Sequence, residues 1–292
     1  MHGSLTKLAL GTVQWGIAYG IAARHGQPGE NEVAQILQRA HSAGVTTLDT
    51  ARVYGASEQI IGRLLGADPA WTVVTKVDPA ADTASAALDS IQASRSALQR
   101  PVLDAVLLHR AQQRTAQGGL LWDALRRERA AGRIGMLGVS ALAPDEAWAA
   151  LDDPEMACLQ VASSLFDQRL SRAGSFEAAE RAGRTVFVRS VFLQGVAHLT
   201  PADLPPRLES LRAPLQLVHD WASAQGVCVH VPFLAFAAGL TNARILFGCE
   251  TARQLDDNLE GWREAVPLAE LMPSLLDAIP ALPATVLDPA QW

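Results

Sequence analysis

Asp49, Tyr54, Lys76 and His109 are the side chains of this sequence best suited to moving a proton. Three of them close short apolar runs: Thr46-Thr47-Leu48-Asp49, Trp71-Thr72-Val73-Val74-Thr75-Lys76 and Ala105-Val106-Leu107-Leu108-His109. Tyr54 follows Asp49 in the next loop. Reducing a carbonyl takes a hydride at carbon and a proton at oxygen, so an acid must sit close to that oxygen. Tyrosine is a poor acid, with an ordinary pKa of about 10. A nearby ammonium favours the phenolate and eases release of the proton. Lys76 is expected to supply that field, Asp49 to hold Lys76 in place and charged, and His109 to orient and polarise the carbonyl. The set requires no metal.

Each residue also has a plainer use. An Asp at a strand end commonly caps a turn, and a Lys there is often an ion-pair partner. A His after an apolar run is often a hydrogen-bonded structural residue, and Tyr54 beside Gly55 could anchor a loop. The joint pattern favours chemistry, because three separate strands each place a titratable group at the same rim. The chain has only two tyrosines, Tyr19 and Tyr54.

The elements that would position these groups alternate along the whole chain. Strands are predicted over 8–10, 46–49, 71–76, 105–109, 134–140, 157–162, 185–190 and 243–247. Helices are predicted over 31–43, 57–65, 83–98, 119–131, 144–151, 172–182 and 251–259, with Ser57 as an N-cap and Pro144 in a first helical turn. Eight strand–helix units imply a parallel sheet closed into a (β/α)8 TIM barrel, whose strand C-termini share one cavity. Residues 191–240 break the rhythm and read as an extended loop followed by a long or split helix. The tail from Pro267 is expected to pack outside the barrel or over its mouth. No domain boundary is visible, so residues 1–292 read as one domain.

Bulk properties narrow the function classes. With 292 residues, 49% of them hydrophobic, the chain can bury one large core. The net charge of -6 and the absence of a Lys/Arg-rich run argue against a nucleic-acid partner. No apolar run reaches about 20 residues, so no membrane span is expected. Gly11, Gln14 and Gly16 interrupt the first apolar run too soon for a secretory signal. Cys158, Cys228 and Cys249 form no CxxC pair, and Cys158 and Cys249 read as buried small hydrophobes in a reducing compartment. A cytoplasmic location is expected. The glycines of Gly132-Arg133-Ile134-Gly135-Met136-Leu137-Gly138 enter a strand rather than leave one, so they do not make a Rossmann fingerprint.

Nearly the whole sequence resembles the aldo-keto reductase superfamily, in a bacterial branch. The segment Asp49-Thr50-Ala51-Arg52-Val53-Tyr54-Gly55-Ala56-Ser57-Glu58 is similar to the family's DTAxxYGxSE segment. Lys76 and His109 close strands as in the family, and Leu10-Gly11-Thr12 and Gly138-Val139-Ser140 match family strand ends. The resemblance implies an NAD(P)(H)-dependent oxidoreductase with Asp49, Tyr54, Lys76 and His109 as tetrad and Tyr54 as general acid. It implies a cofactor site drawn from Gly11, Thr12, Ser140, Gln160, Ser190, Phe192, Gln194, Gly195, Gly248, Glu250, Gln254 and Asn258. Ser140 and Gln160 would hold the carboxamide, 192–195 the pyrophosphate, and Gln254 and Asn258 the adenosine. Ala141 replaces a frequent Asn. Glu250 stands where members that prefer NADP carry Lys or Arg, which opens NAD(H) use; Arg253 and family habit lean to NADP(H). Gln14, Trp15 and Tyr19 are expected to line the substrate mouth. Trp15 could stack on a sugar face or plug the loop. The substrate class implied is a small aldehyde, ketone or sugar.

Two other readings stay open. Ala141 and Glu250 depart from the cofactor pattern, which suits a nucleotide-binding sensor or regulatory protein with little turnover. Lys76 could also serve a barrel isomerase or lyase as a Schiff base.

Overall fold

Side-chain alternation decides how the short apolar runs are used. Val74, Ala105, Leu107, Cys158, Phe187 and Leu246 face one another with Ala9 inside a closed ring of strands, while their neighbours in sequence face outward toward helices. The strands are β1 (Leu8–Gly11), β2 (Thr47–Asp49), β3 (Thr72–Lys76), β4 (Leu103–Leu108), β5 (Ile134–Ala141), β6 (Cys158–Ala162), β7 (Thr185–Arg189) and β8 (Ala243–Gly248). All neighbours are parallel, in the order β1 to β8, and β8 pairs with β1 to close the barrel. Register sets Gly11 beside both Asp49 and Gly248, Ser140 beside Gln160, and Ala162 beside Arg189. The computed structural model describes residues 4–21, 26–288 and 291–292.

A larger apolar layer lies between this ring and the surrounding helices, including Glu30–Ser42, Ser57–Leu65, Ala84–Leu98, Leu120–Ala130 and Pro144–Leu151. Thr83 caps its helix by accepting from Ala86 N. Ser57 does not cap; Ala56 holds that position, and the Ser57 hydroxyl is turned inward to Thr12 and Thr50. The helix predicted over 172–182 is divided at Gly174 into Arg169–Arg172 and Ser175–Arg181. Residues 191–240 form short 3-10 turns, then the helices Arg212–Gln225 and Val231–Gly239. The helix after β8 runs to Leu268, well past the predicted Leu259, and takes Pro267 into its last turn. The tail helix Met272–Ala278 packs on the helix Arg212–Gln225, and Leu276 O accepts from Gln168 and Arg172. Among the described residues, no helix is long and apolar enough to cross a membrane. Cys158, Cys228 and Cys249 are all free thiols, and burial pushes Cys158 and Cys249 up to about 12.

The helices Ser57–Leu65 and Ala84–Leu98 touch backbone to backbone at Gly62. A Cβ there would lie 2.0 Å from the Ala97 carbonyl oxygen. Alanine favours a helix over glycine by about 1 kcal/mol, but the overpacking here costs about 1–3 kcal/mol. Gly62→Ala is therefore expected to lower stability in urea denaturation. A raised midpoint would mean that the two helices separate without cost.

Candidate functional site

The site is built where β2, β3 and β4 end. Lys76 is 1% exposed and Asp49 5%, so each needs the other to remain charged. Lys76 Nζ donates to Asp49 Oδ1 at 2.7 Å, to Asp49 Oδ2 at 2.9 Å and to the Thr50 carbonyl at 2.8 Å. Those three acceptors use all three ammonium protons. Gln160 Nε2, arriving from β6, donates to Asp49 Oδ1 at 2.6 Å. Burial pulls the Lys76 pKa down, and the Asp49 carboxylate opposes it. With no donor to spare and no exposed lone pair, Lys76 is not presented as a Schiff-base nucleophile.

Tyr54 and His109 complete the group. The ammonium lies 5.2 Å from the Tyr54 ring centroid. The His109 ring meets Tyr54 edge-on, with centroids 6.4 Å apart and planes at 87°. Burial raises the Tyr54 pKa, Asp49 raises it further, and Arg189 pulls the other way. In the resting site burial and Asp49, rather than Lys76, set the direction of the phenol's pKa. The charge of Lys76 is matched by Asp49, and the dry surroundings dominate, so the phenol holds its proton. Burial, then Lys76 and Arg189, lower His109 to about 4, so the imidazole is neutral near pH 7. Its buried Nδ1 has no hydrogen-bond partner among the described residues.

The Tyr54 loop is clamped from below. Thr12 is fully buried; its N–H and its hydroxyl both donate to the Asp49 carbonyl, at 2.9 and 3.0 Å. The same hydroxyl lies 2.7 Å from Ser57 Oγ. Thr12 thus braces Asp49 and is not presented to a cofactor. Gly55 turns at φ 53°, and a Cβ on Gly16 would fall 1.7 Å from the Tyr54 carbonyl oxygen. Only bare backbone allows the loops after β1 and β2 to meet this closely.

The substrate-mouth candidates separate. Trp15 is fully buried and its Nε1 donates to the Cys249 carbonyl at 3.2 Å. It plugs the loop and offers no face to a sugar, which corrects the stacking expectation. Tyr19 is partly exposed, and its hydroxyl accepts from Gln194 Nε2 at 3.0 Å. Ile21 N also donates to the Gln194 carbonyl at 3.0 Å, so the loops after β1 and β7 are tied together. Gln14 reaches Glu250 Oε1 at 3.4 Å, at the end of β8.

The cofactor candidates line the same rim. Ser140 and Gln160 are paired across β5 and β6, and Gln160 Oε1 is buried without a partner. Ala141 is fully buried. After β7 the chain turns sharply, with Ser190, Leu193 and Gln194 at φ 63°, 43° and 52° and Gly195 at 102°. Phe192 packs edge-on against His198, with centroids 5.0 Å apart. Beyond Gly248, the Glu250 N–H donates to Gln254 Oε1 at 2.6 Å, and Asn258 is buried one turn further along the helix. Glu250 itself is 3% exposed, whereas Arg253 is exposed. Arg189 was missed from the sequence, although its alternation with Phe187 carried the signal.

The sequence pattern of the Aldo/keto reductase family matches residues 7–271. The chain belongs to that family. An uncharacterized oxidoreductase of Mycobacterium tuberculosis is 31% identical over 142 residues, which are 47% of this chain and 43% of that protein. The match therefore spans less than half of that relative's length. An aldo-keto reductase from Bacillus halodurans, in its holo form, shares the fold with a TM-score of 0.74 at 19% identity, over 98% of this chain and 95% of that one. One from Klebsiella pneumoniae in complex with NADPH gives 0.71 at 20% identity, over 97% and 94%.

For this aldo/keto reductase, the contact between Gly16 and the Tyr54 carbonyl predicts a kinetic effect. Gly16→Ala must push Tyr54 away, and a shift of about 1 Å costs on the order of 100-fold in rate. Steady-state turnover of a carbonyl substrate, beside an unchanged circular dichroism spectrum, checks it. Native turnover in the variant would show that the loop relaxes without moving the phenol.

Proposed function

We propose that the protein is an NAD(P)(H)-dependent oxidoreductase that interconverts a small carbonyl compound and its alcohol, with Tyr54 as proton donor. One observation carries the reading: the Tyr54 phenol and the His109 imidazole meet edge-on beside the buried Lys76–Asp49 pair. A carbonyl oxygen held between Tyr54 and His109 receives a proton from the phenol as hydride reaches carbon. His109 donates a second hydrogen bond to that oxygen and fixes its direction. The charge developing on oxygen lies near Lys76, whose ammonium stabilises the departing proton's phenolate. Asp49 and Gln160 hold the ammonium still.

The rim residues fit a nicotinamide dinucleotide. Among the described residues Gln160 Oε1 is a buried acceptor without a partner, on the residue in register with Ser140, and is suited to an amide N–H. Bound there, the cofactor would supply the hydride. The Ser190–Gly195 turn and the Gly248–Asn258 segment would hold its phosphates and adenosine. NADP(H) is proposed over NAD(H): Glu250 is turned inward toward Gln14, while Arg253 presents its guanidinium at the same turn. The Klebsiella pneumoniae neighbour in complex with NADPH supports a nicotinamide cofactor. A cytoplasmic location accords with the three free cysteines.

Tyr54→Phe is expected to reduce kcat on a panel of aldehydes and sugars by about two to four orders of magnitude. Equal activity in variant and native protein would sink the acid role. Tight cofactor retention with no turnover in the native protein would favour a sensor instead. For the cofactor, tryptophan fluorescence should show that Arg253→Ala weakens NADPH binding by about tenfold and leaves NADH binding unchanged. Equal losses for both would remove Arg253 from 2′-phosphate recognition.

A further inference from the structure

Arg189 brings a charge to the barrel mouth that the proton-transfer group does not use. It lies two residues beyond Phe187 on β7, and Phe187 belongs to the interior cluster. Lys76 stands in the same relation to Val74, and Gln160 to Cys158; both point into the mouth. Residues two apart on a strand share a face. Arg189 therefore belongs to the same inward layer, on the strand opposite β3 in the closed ring.

Among the described residues, no carboxylate forms an ion pair with the Arg189 guanidinium. Arg52, Arg100 and Arg169 each meet a carboxylate, at Glu58, Asp104 and Asp167. Arg189 is half-buried, and among the described residues its side chain makes one hydrogen bond, from Nη1 to Ser190 Oγ at 3.3 Å. Asp49 is already matched by Lys76, and Asp288, which like Arg189 acts on Tyr19, is engaged elsewhere on Arg169. Arg189 acts electrostatically on Tyr19, Tyr54, Lys76 and His109, so its field covers the place where a carbonyl would sit. The guanidinium has five N–H donors, so most of them are left for a ligand in the mouth.

We infer that Arg189 receives an acidic group of the substrate, so that the protein acts on carbonyl compounds bearing a carboxylate, such as oxo acids and carboxylated aldehydes. The inference rests on the reductase reading above. The planar fork of a guanidinium donates two parallel hydrogen bonds to a carboxylate. With the acid group held on β7, the carbonyl end of the molecule reaches across the mouth toward Tyr54 and His109. Binding at two points fixes the reacting carbon, which a single contact with the carbonyl oxygen cannot do.

The test compares 4-carboxybenzaldehyde with methyl 4-formylbenzoate, with NADPH as reductant, in native protein, Arg189→Gln and Arg189→Lys. Native protein is expected to favour the acid in kcat/KM by about tenfold or more. Arg189→Gln should bring the ratio to about one, and Arg189→Lys should restore part of it. Each ratio is taken within one protein, so a general loss of activity cancels. Binding of the two aldehydes is also followed by tryptophan fluorescence, which needs no turnover. Absence of an acid preference in native protein, or an unchanged preference in Arg189→Gln, overturns the inference and leaves the reductase reading intact. If no aldehyde is turned over, the reductase reading fails, and the binding ratio alone decides the role of Arg189. An unchanged ratio with NADPH affinity weakened about tenfold would assign the guanidinium to the cofactor's pyrophosphate and overturn the inference as well.

Discussion

The Lys76–Asp49 pair is the constraint around which the rest of the site is arranged. Neither charge would stay ionised alone at that depth, because desolvation of one unpaired ion costs several kcal/mol. The pair is stable because its hydrogen bonding is complete: three acceptors for Lys76, and Gln160 as an added donor to Asp49. Completeness also limits what Lys76 can do. Its three bonds go to Asp49 and Thr50, and burial and Asp49 hold the Tyr54 pKa above its ordinary value. Among the described residues, Nδ1 of His109 and Oε1 of Gln160 are the buried atoms beside this pair that have no hydrogen-bond partner.

Much of this was legible because a closed parallel barrel turns a sequence rule into a spatial one. A polar residue at the end of an apolar run becomes a residue at the mouth, so Asp49, Lys76 and His109 could be named from strand ends alone. Loops obey no such rule. Ser57 looked like a cap because it precedes a helix, yet Thr12 and Thr50 offered its hydroxyl better partners. Trp15 could stack on a sugar or plug its loop, and only the fold decides: its indole donates to the Cys249 carbonyl and is buried. The helix after β8 outran its predicted end because Leu259, Trp262 and Ala265 keep an apolar face beyond it.

Arg189 shows a different limit. Its position follows from alternation along β7, but its meaning depends on what the neighbouring acids are doing. Whether an arginine is paired is a property of the folded arrangement, decided here by Asp49 being fully engaged with Lys76. The exchange between Glu250 and Arg253 is similar: sequence gave both charges, and the fold turned one inward and left the other in solvent.

The contact of Gly16 with Tyr54 and Gly55 has a consequence for how such a protein can diversify. Specificity in a barrel is usually retuned by grafting loops, which presumes that a loop is independent of the catalyst beneath it. The first loop here is fused at one end to the backbone of the acid and stitched at the other to Gln194. A transplanted loop that lacks glycine at residue 16 would drag the phenol with it. New substrates are therefore reached more easily through the loop after His109 or the tail, where no such mechanical link to Tyr54 exists among the described contacts.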